Sequence, residues 1–385
     1  MRISRADYNP DLLPTIKRMA ILRSNKRPSP LQVGIGLILA LLIVGCSPSL
    51  EDRLPPIESP TDVNSPTETV FEDGTRDPVP TPADSFGEPH LVEYPVPSGA
   101  RPHDVAPAPD GMVWYTAQGQ GALGRLDPET GQTVHIPLGS GSAPHGVIVG
   151  PDGAAWITDS GLNAIVRVDP VTEEAILYPL PSSSPNANLN TAVFDNEGVL
   201  WFTGQNGVYG RLDPAEGIVQ AFDAPRGRGP YGITATPDGT IYYASLAGSH
   251  IARVDPITYE ATVIEPPTSG QGARRVWSDS SGRIWVSEWN AGQLALYDPE
   301  TAEWREWKLP GDRPQAYAVY VDDRDIVWLS DFGSNSLLSF DPESEQFEVY
   351  SLPSSPANVR QILGIPGEIW GAESGVDQLV VIRLP

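Results

Sequence analysis

His103 and His145 stand 42 residues apart in matching surroundings, each followed by a short apolar run, a glycine-acid turn and an aromatic strand. An imidazole ionises near neutral pH, and beside a carboxylate it forms the pair that proton abstraction needs. Counting seven residues to either side of the turn centre Asp152 sets His145 opposite Asp159. The same rule pairs His103 with Ala117, Asn190 with Gly204, Tyr231 with Ser245, Arg274 with Glu288, Tyr317 with Asp331, and Val359 with Glu373. These positions carry histidines, tyrosines, an arginine, an asparagine and four carboxylates, with Arg275 and Arg360 adjacent. Residue types that differ where their surroundings repeat are the natural carriers of specificity.

What must position them is a repeat. Trp114, Trp156, Trp201, Tyr242, Trp285, Trp328 and Trp370 follow one another at spacings of 42, 45, 41, 43, 43 and 42. A unit of that length holds the four strands of a propeller blade. The second unit shows them: His145–Val149, Ala155–Asp159, Ala164–Val168 and Ala175–Leu180, with turn residues between. Asp-Pro recurs at 127–128, 169–170, 213–214, 255–256, 298–299 and 341–342, where Asp can bond the backbone ahead and Pro presets the turn. The last unit lacks its fourth strand, and 91–97 supplies a spare one whose Tyr94-Pro95-Val96-Pro97 matches the endings Tyr178-Pro179-Leu180-Pro181 and Trp307-Lys308-Leu309-Pro310. The fold expected is all-β: a seven-bladed β-propeller, four antiparallel strands per blade, closed by 91–97 in the last blade. The paired residues then crowd one mouth of the central funnel. The tryptophans serve the core between blades, and His90, His135 and His250 fall at strand edges or loops.

The net charge of −24 excludes nucleic acid as a partner, since a phosphate-binding surface must be basic. Residues 1–46 hold seven Lys/Arg against two acids, so the remainder carries −29. Behind the basic start lies the twelve-residue apolar run Gly34–Gly45, the length of a signal-peptide core and too short for a comfortable membrane span. It ends in Ile43-Val44-Gly45-Cys46, which resembles the bacterial lipobox, and Cys46 is the chain's single cysteine. Residues 1–45 therefore read as a lipoprotein signal peptide, with Met19 an alternative start. Residues 46–88 read as a lipidated, disordered acidic Pro/Ser/Thr tether, and 89–385 as the propeller. The expected location is extracytoplasmic, held to a bacterial membrane by lipid on Cys46.

The tokens Asp110-Gly111, Trp114-Tyr115-Thr116, Trp201-Phe202-Thr203, Gly124-Arg125-Leu126-Asp127, Gly210-Arg211-Leu212-Asp213, Trp285-Val286-Ser287-Glu288 and Tyr231-Gly232-Ile233 resemble the virginiamycin B lyase (streptogramin lyase) family. The resemblance implies a monomeric propeller that opens cyclic depsipeptides by elimination: a histidine removes the α proton and Mg²⁺ or another divalent cation steadies the enolate-like charge. It implies His145 as general base oriented by Asp159, with His103 assisting and Asp159 or Glu288 holding the cation. Tyr231, Arg274, Tyr317 and Asn190 would position a cyclic ester or acyl substrate. Ala143 stands where the family carries a first carboxylate, and Asp159 replaces a glutamate. The alternative is a non-catalytic lipoprotein whose mouth holds a small molecule, peptide, glycan or protein.

Overall fold

The computed structural model describes residues 87–385; Met19, Cys46, the signal-like segment and the tether up to residue 86 lie outside the described residues. Twenty-eight strands form seven four-stranded antiparallel sheets, with the 3-10 turn Gln118–Gln120 the one helical element among the described residues. Blade 1 runs from Pro102 to Pro137, blade 2 from Pro144 to Pro179, blade 3 from Leu189 to Asp223 and blade 4 from Pro230 to Ile264. Blade 5 spans Ala273 to Lys308 and blade 6 Ala316 to Ser351. Blade 7 runs from Val359 to Arg383 and takes its fourth strand, His90–Pro95, from the start of the propeller. That strand pairs antiparallel with Gln378–Arg383, Leu91 opposite Ile382, and so covers what would be an exposed edge. A second clasp lies beside it, where Asp377 accepts hydrogen bonds from the backbone N–H of Gly99 and Arg101 at 2.8 and 2.7 Å.

Burial grades outward. The Trp strands, such as Val113–Ala117, are buried throughout, whereas outermost strands such as Gln132–Pro137 alternate between exposed and covered positions. The tryptophans pack between neighbouring blades; Trp370 of blade 7 shares a cluster with Val105 and Tyr115 of blade 1. Several indole N–H groups are satisfied by the preceding turns: Trp156 donates to Asp152 at 3.0 Å, Trp201 to Asp195 at 2.8 Å and Trp285 to Asp279 at 3.0 Å, whereas that of Trp114 is buried without a partner. In these three blades the aromatic packs the core with its apolar body and anchors the turn with its polar tip.

One feature departs from the expected register. Every inner hairpin carries a β-bulge at its open end. Asp159 consequently faces Pro144 rather than His145, and Glu288 faces Ala273 rather than Arg274. Likewise Ala117 pairs with Pro102, Gly204 with Leu189, Ser245 with Pro230 and Asp331 with Ala316. Only blade 7, whose turn is one residue shorter, pairs Val359 with Glu373 as expected. A bulge inserts an extra residue against one partner, so a uniform count from the turn runs out of step beyond it.

In five of the seven blades a hydroxyl two residues after the blade aromatic fastens the bulge: Thr116, Thr158, Thr203, Ser287 and Ser330. Ala244 and Ala372 hold the same place in blades 4 and 7. In blade 2, Thr158 accepts from the bulged Gly146 N–H at 2.9 Å and donates to the Asn190 carbonyl of blade 3 at 2.5 Å. Thr116 does the same with the Asp104 N–H at 3.0 Å and the His145 carbonyl at 2.9 Å. One buried hydroxyl thus fixes the bulge in its own blade and the mouth residue of the next.

Candidate functional site

The bulges turn two consecutive residues per blade toward the axis. The outer layer is His103, His145, Asn190, Tyr231, Arg274, Tyr317 and Arg360, and deeper lie Asp104, Thr191, Arg275 and Gln361. Contacts across the ring show that they meet: Arg275 of blade 5 reaches Asp104 of blade 1 and Thr191 of blade 3. Gly146 fills the deeper position of blade 2 because a Cβ there would come within 2.6 Å of the Asn190 carbonyl.

His103 Nδ1 lies 2.7 Å from Asp104 Oδ1. The carboxylate only accepts, so Nδ1 carries the proton and Nε2 keeps its lone pair. The neighbouring ring is 3.7 Å away between centroids and holds the same tautomer, but with the other nitrogen left free. There the Asn190 amide nitrogen, 3.3 Å from His145 Nε2, donates to it; Thr191 Oγ1 sets that amide by donating to Asn190 Oδ1 at 2.8 Å. His145 Nδ1 therefore bears a hydrogen, and it is buried without a protein partner. Burial holds both imidazoles well below the usual histidine range, with His103 further depressed by Arg360, Arg275 and Arg274, and His145 by His103. Two neutral rings thus stand together, one offering a lone pair and the other an N–H. Burial raises Asp104 above the ordinary aspartate range, while Arg275, 3.1 Å away, pulls it back.

The second half of the mouth is cationic and aromatic. Tyr231 and Tyr317 hydroxyls lie 2.6 Å apart, and Arg274 Nη2 donates to Tyr231 at 3.0 Å. The Arg274 guanidinium sits 3.6 Å from the centre of the Tyr317 ring, and Arg360 approaches the same ring at 5.8 Å. Burial opposes ionisation of Tyr317, yet Arg274, Arg275 and Arg360 outweigh it and hold the phenol below its usual value. Tyr231, buried beside Tyr317, is raised.

His103, His145, Asn190, Tyr231, Arg274 and Tyr317 thus share one site; Asp159 and Glu288 stand apart from it. Asp159 accepts from Ser142 Oγ at 2.5 Å and from the backbone N–H of Ala143, Gly161 and Leu162, each at 2.9 Å. These four bonds, three to Oδ1 and one to Oδ2, commit the carboxylate to tying two loops of its own blade. Glu288 accepts from Gln293 at 2.5 Å, and burial pushes its carboxyl up to about 8, so it is largely protonated at neutral pH. His135 and His250 serve the framework, through Tyr115 OH at 2.7 Å and the Gly248 carbonyl at 3.1 Å.

The magnesium ion that the resemblance implies does not suit these residues. Mg²⁺ demands oxygen ligands in near-octahedral array. The one cluster among the described residues that could hold a metal is His103, Asp104 and His145, whose donor atoms lie within 4.8 Å of one another. It offers a single carboxylate, already facing Arg275, and Arg274 and Arg360 add to the positive field on the histidines.

Asp104, Thr191 and Gln361 escape a reading that takes one residue per hairpin. In blades 1 and 3 the signal was the hydroxyl two residues past the aromatic, which fastens the bulge beside Asp104 and Thr191; in blade 7 that place is Ala372, so no such signal marks Gln361.

Residues 132–277 match the model of the virginiamycin B lyase family. The chain resembles that family, and no curated protein sequence matches it. Among solved structures, streptogramin B lyase superposes with a TM-score of 0.71 at 21% identity, covering 79% of this chain and all (100%) of that one. Virginiamycin B lyase from Staphylococcus aureus gives 0.71 at 19% identity, covering 77% of this chain and 100% of that one. YCF48 bound to the D1 peptide gives 0.61 at 16% identity, covering 79% and 98%. At these identities the likeness is one of fold.

Proposed function

We propose, from the resemblance to virginiamycin B lyase over residues 132–277 together with the mouth geometry, that this propeller is a carbon–oxygen lyase acting by α-proton abstraction on an ester or depsipeptide. The observation that carries the reading is the 2.7 Å contact between His103 and Asp104, which leaves His103 Nε2 as a neutral, oriented base. In the reaction the α proton moves to Nε2 and negative charge gathers on the carbonyl oxygen. His145 Nδ1–H and the Arg274 guanidinium stabilise that charge. The electron pair then forms a carbon–carbon double bond as the β carbon–oxygen bond breaks, and the oxygen departs as carboxylate. No water is consumed. His103 thus takes the role of base, His145 that of acid partner, and Asp104 the orienting role expected of Asp159.

Mass spectrometry of type B streptogramins and related depsipeptides after incubation with the protein tests this. A linear product of unchanged mass is expected, abolished by His103→Asn. A product heavier by one water overturns elimination. Intact substrate that nonetheless binds transfers the mouth to the binding-propeller reading.

The lipobox-like Ile43-Val44-Gly45-Cys46 supports an extracytoplasmic, lipid-anchored form. Incorporation of radiolabelled palmitate in a bacterial host, lost in Cys46→Ser, is expected; incorporation that persists in the variant rejects the anchor.

A further inference from the structure

The mouth holds more positive charge than its own structure uses. Arg275 has a buried partner in Asp104, 3.1 Å away. Arg274 and Arg360 have no carboxylate within ion-pairing distance among the described residues; their polar partners are the hydroxyls of Tyr231, Tyr317 and Ser374. Arg274 Nε is buried with no partner at all. Elsewhere in this chain of net charge −24, guanidiniums such as Arg167, Arg283 and Arg383 pair with acids at 2.7 to 2.9 Å. Two partly buried cations left without a counter-charge cost desolvation, unless a ligand supplies the charge.

Both guanidiniums converge on the face of Tyr317, and Trp289 and Phe332 pack around the same ring at 5.7 and 4.8 Å. All four of these side chains are half-buried and reachable from solvent. Trp289 and Phe332 also line a cleft of about 880 Å³ between blades 5 and 6, whose charged lining is Lys308, Asp312 and Arg313.

We infer that Arg274 and Arg360 form a carboxylate receptor, with Trp289 and Phe332 as the wall for the apolar group that bears the carboxylate. A guanidinium presents planar, paired donors that match a carboxylate, and nearby aromatic faces suit an aryl or alkyl substituent. The inference rests on the proposed lyase reading in one respect: elimination generates a carboxylate, which this pair would receive as the leaving group.

Binding can be measured without turnover. Phenylacetate, its uncharged counterpart phenylacetamide, and phenylmethanesulfonate are titrated by calorimetry and by quenching of tryptophan fluorescence. Phenylacetate is expected to bind about tenfold or more tighter than the amide, as charge-assisted hydrogen bonds imply, and tighter than the sulfonate. The preference should collapse in Arg360→Gln and in Arg274→Gln, remain in part in Arg360→Lys, and shrink in about 0.5 M salt. Circular dichroism verifies that each variant folds. Equal binding of acid and amide overturns the receptor, as does a preference that survives both glutamine variants; tighter binding of the sulfonate overturns its carboxylate character. If phenylacetate binds as expected while no depsipeptide is cleaved, the receptor stands and the lyase reading falls.

Discussion

The Arg275 guanidinium, rooted in blade 5, lies 3.1 Å from the carboxylate of Asp104 in blade 1, so a buried ion pair crosses the axis of the ring. Below it the channel opens into a cavity of about 300 Å³ lined largely by apolar residues including Ile148, Val193, Ile233 and Leu363. Above it stand the histidines, tyrosines and remaining arginines. The pair thus closes the floor of the mouth and, through His103, sets the tautomer on which the proposed chemistry depends.

Removing one partner strands the other charge in a site where both side chains are 2% exposed. Asp104→Ala should destabilise the fold by about 3–5 kcal/mol in urea unfolding. The same change frees His103 Nδ1, so the ring-nitrogen chemical shifts of His103 should lose the signature of a single tautomer. Unchanged shifts would show that Asp104 does not orient the ring.

The two imidazoles should resist protonation. Burial lowers both below the ordinary value of 6.5. The unfolded chain therefore takes up protons first, and stability linked to these rings is complete above 6.5 and lost as pH falls below it. Nuclear magnetic resonance titration should find both rings neutral at about pH 6, where an exposed histidine is mostly charged. Titration midpoints near the free value would refute the buried, neutral pair.

Glu373 at the ring closure carries the opposite dependence. Burial, and then Glu93, push its carboxyl from 4.5 up to about 8. Its neutral form is favoured by folding, so that contribution is complete below 4.5 and lost as pH rises through about 8. Glu373→Gln, which keeps a neutral side chain, should flatten the stability profile in this window by up to about 1.4 kcal/mol per pH unit. Identical profiles for the two proteins would contradict the shift.

Asp159→Ala should cost at least about 2 kcal/mol, because four donors lose their acceptor. Millimolar Mg²⁺ should leave the melting temperature unchanged in both the parent and the variant. A magnesium-dependent rise that Asp159→Ala removes would restore this residue as a cation ligand.

The hydroxyl at position 158 bridges blades 2 and 3. Thr158→Val keeps the shape but orphans the Gly146 N–H and the Asn190 carbonyl, an expected loss of about 1–3 kcal/mol. Because Asn190 sets the His145 tautomer, activity should fall further than stability alone explains. An active, equally stable variant would deny the hydroxyl its part.

The sequence by itself determined the ring. Seven aromatics at a steady interval, Asp-Pro turns and a spare strand at 91–97 specify blades and closure, because each depends on local periodicity and turn chemistry. It also placed His103, His145, Asn190, Tyr231, Arg274 and Tyr317 at one mouth, since equivalent positions in a closed ring must converge. Which residue serves which was decided only in three dimensions. A bulge moves each mouth residue one place out of register with the strand opposite, so Asp159 turns to its own loops and Asp104 takes the histidine. The Arg275–Asp104 pair spans 171 positions of sequence, and no local pattern relates its ends; closure of the ring brings them together.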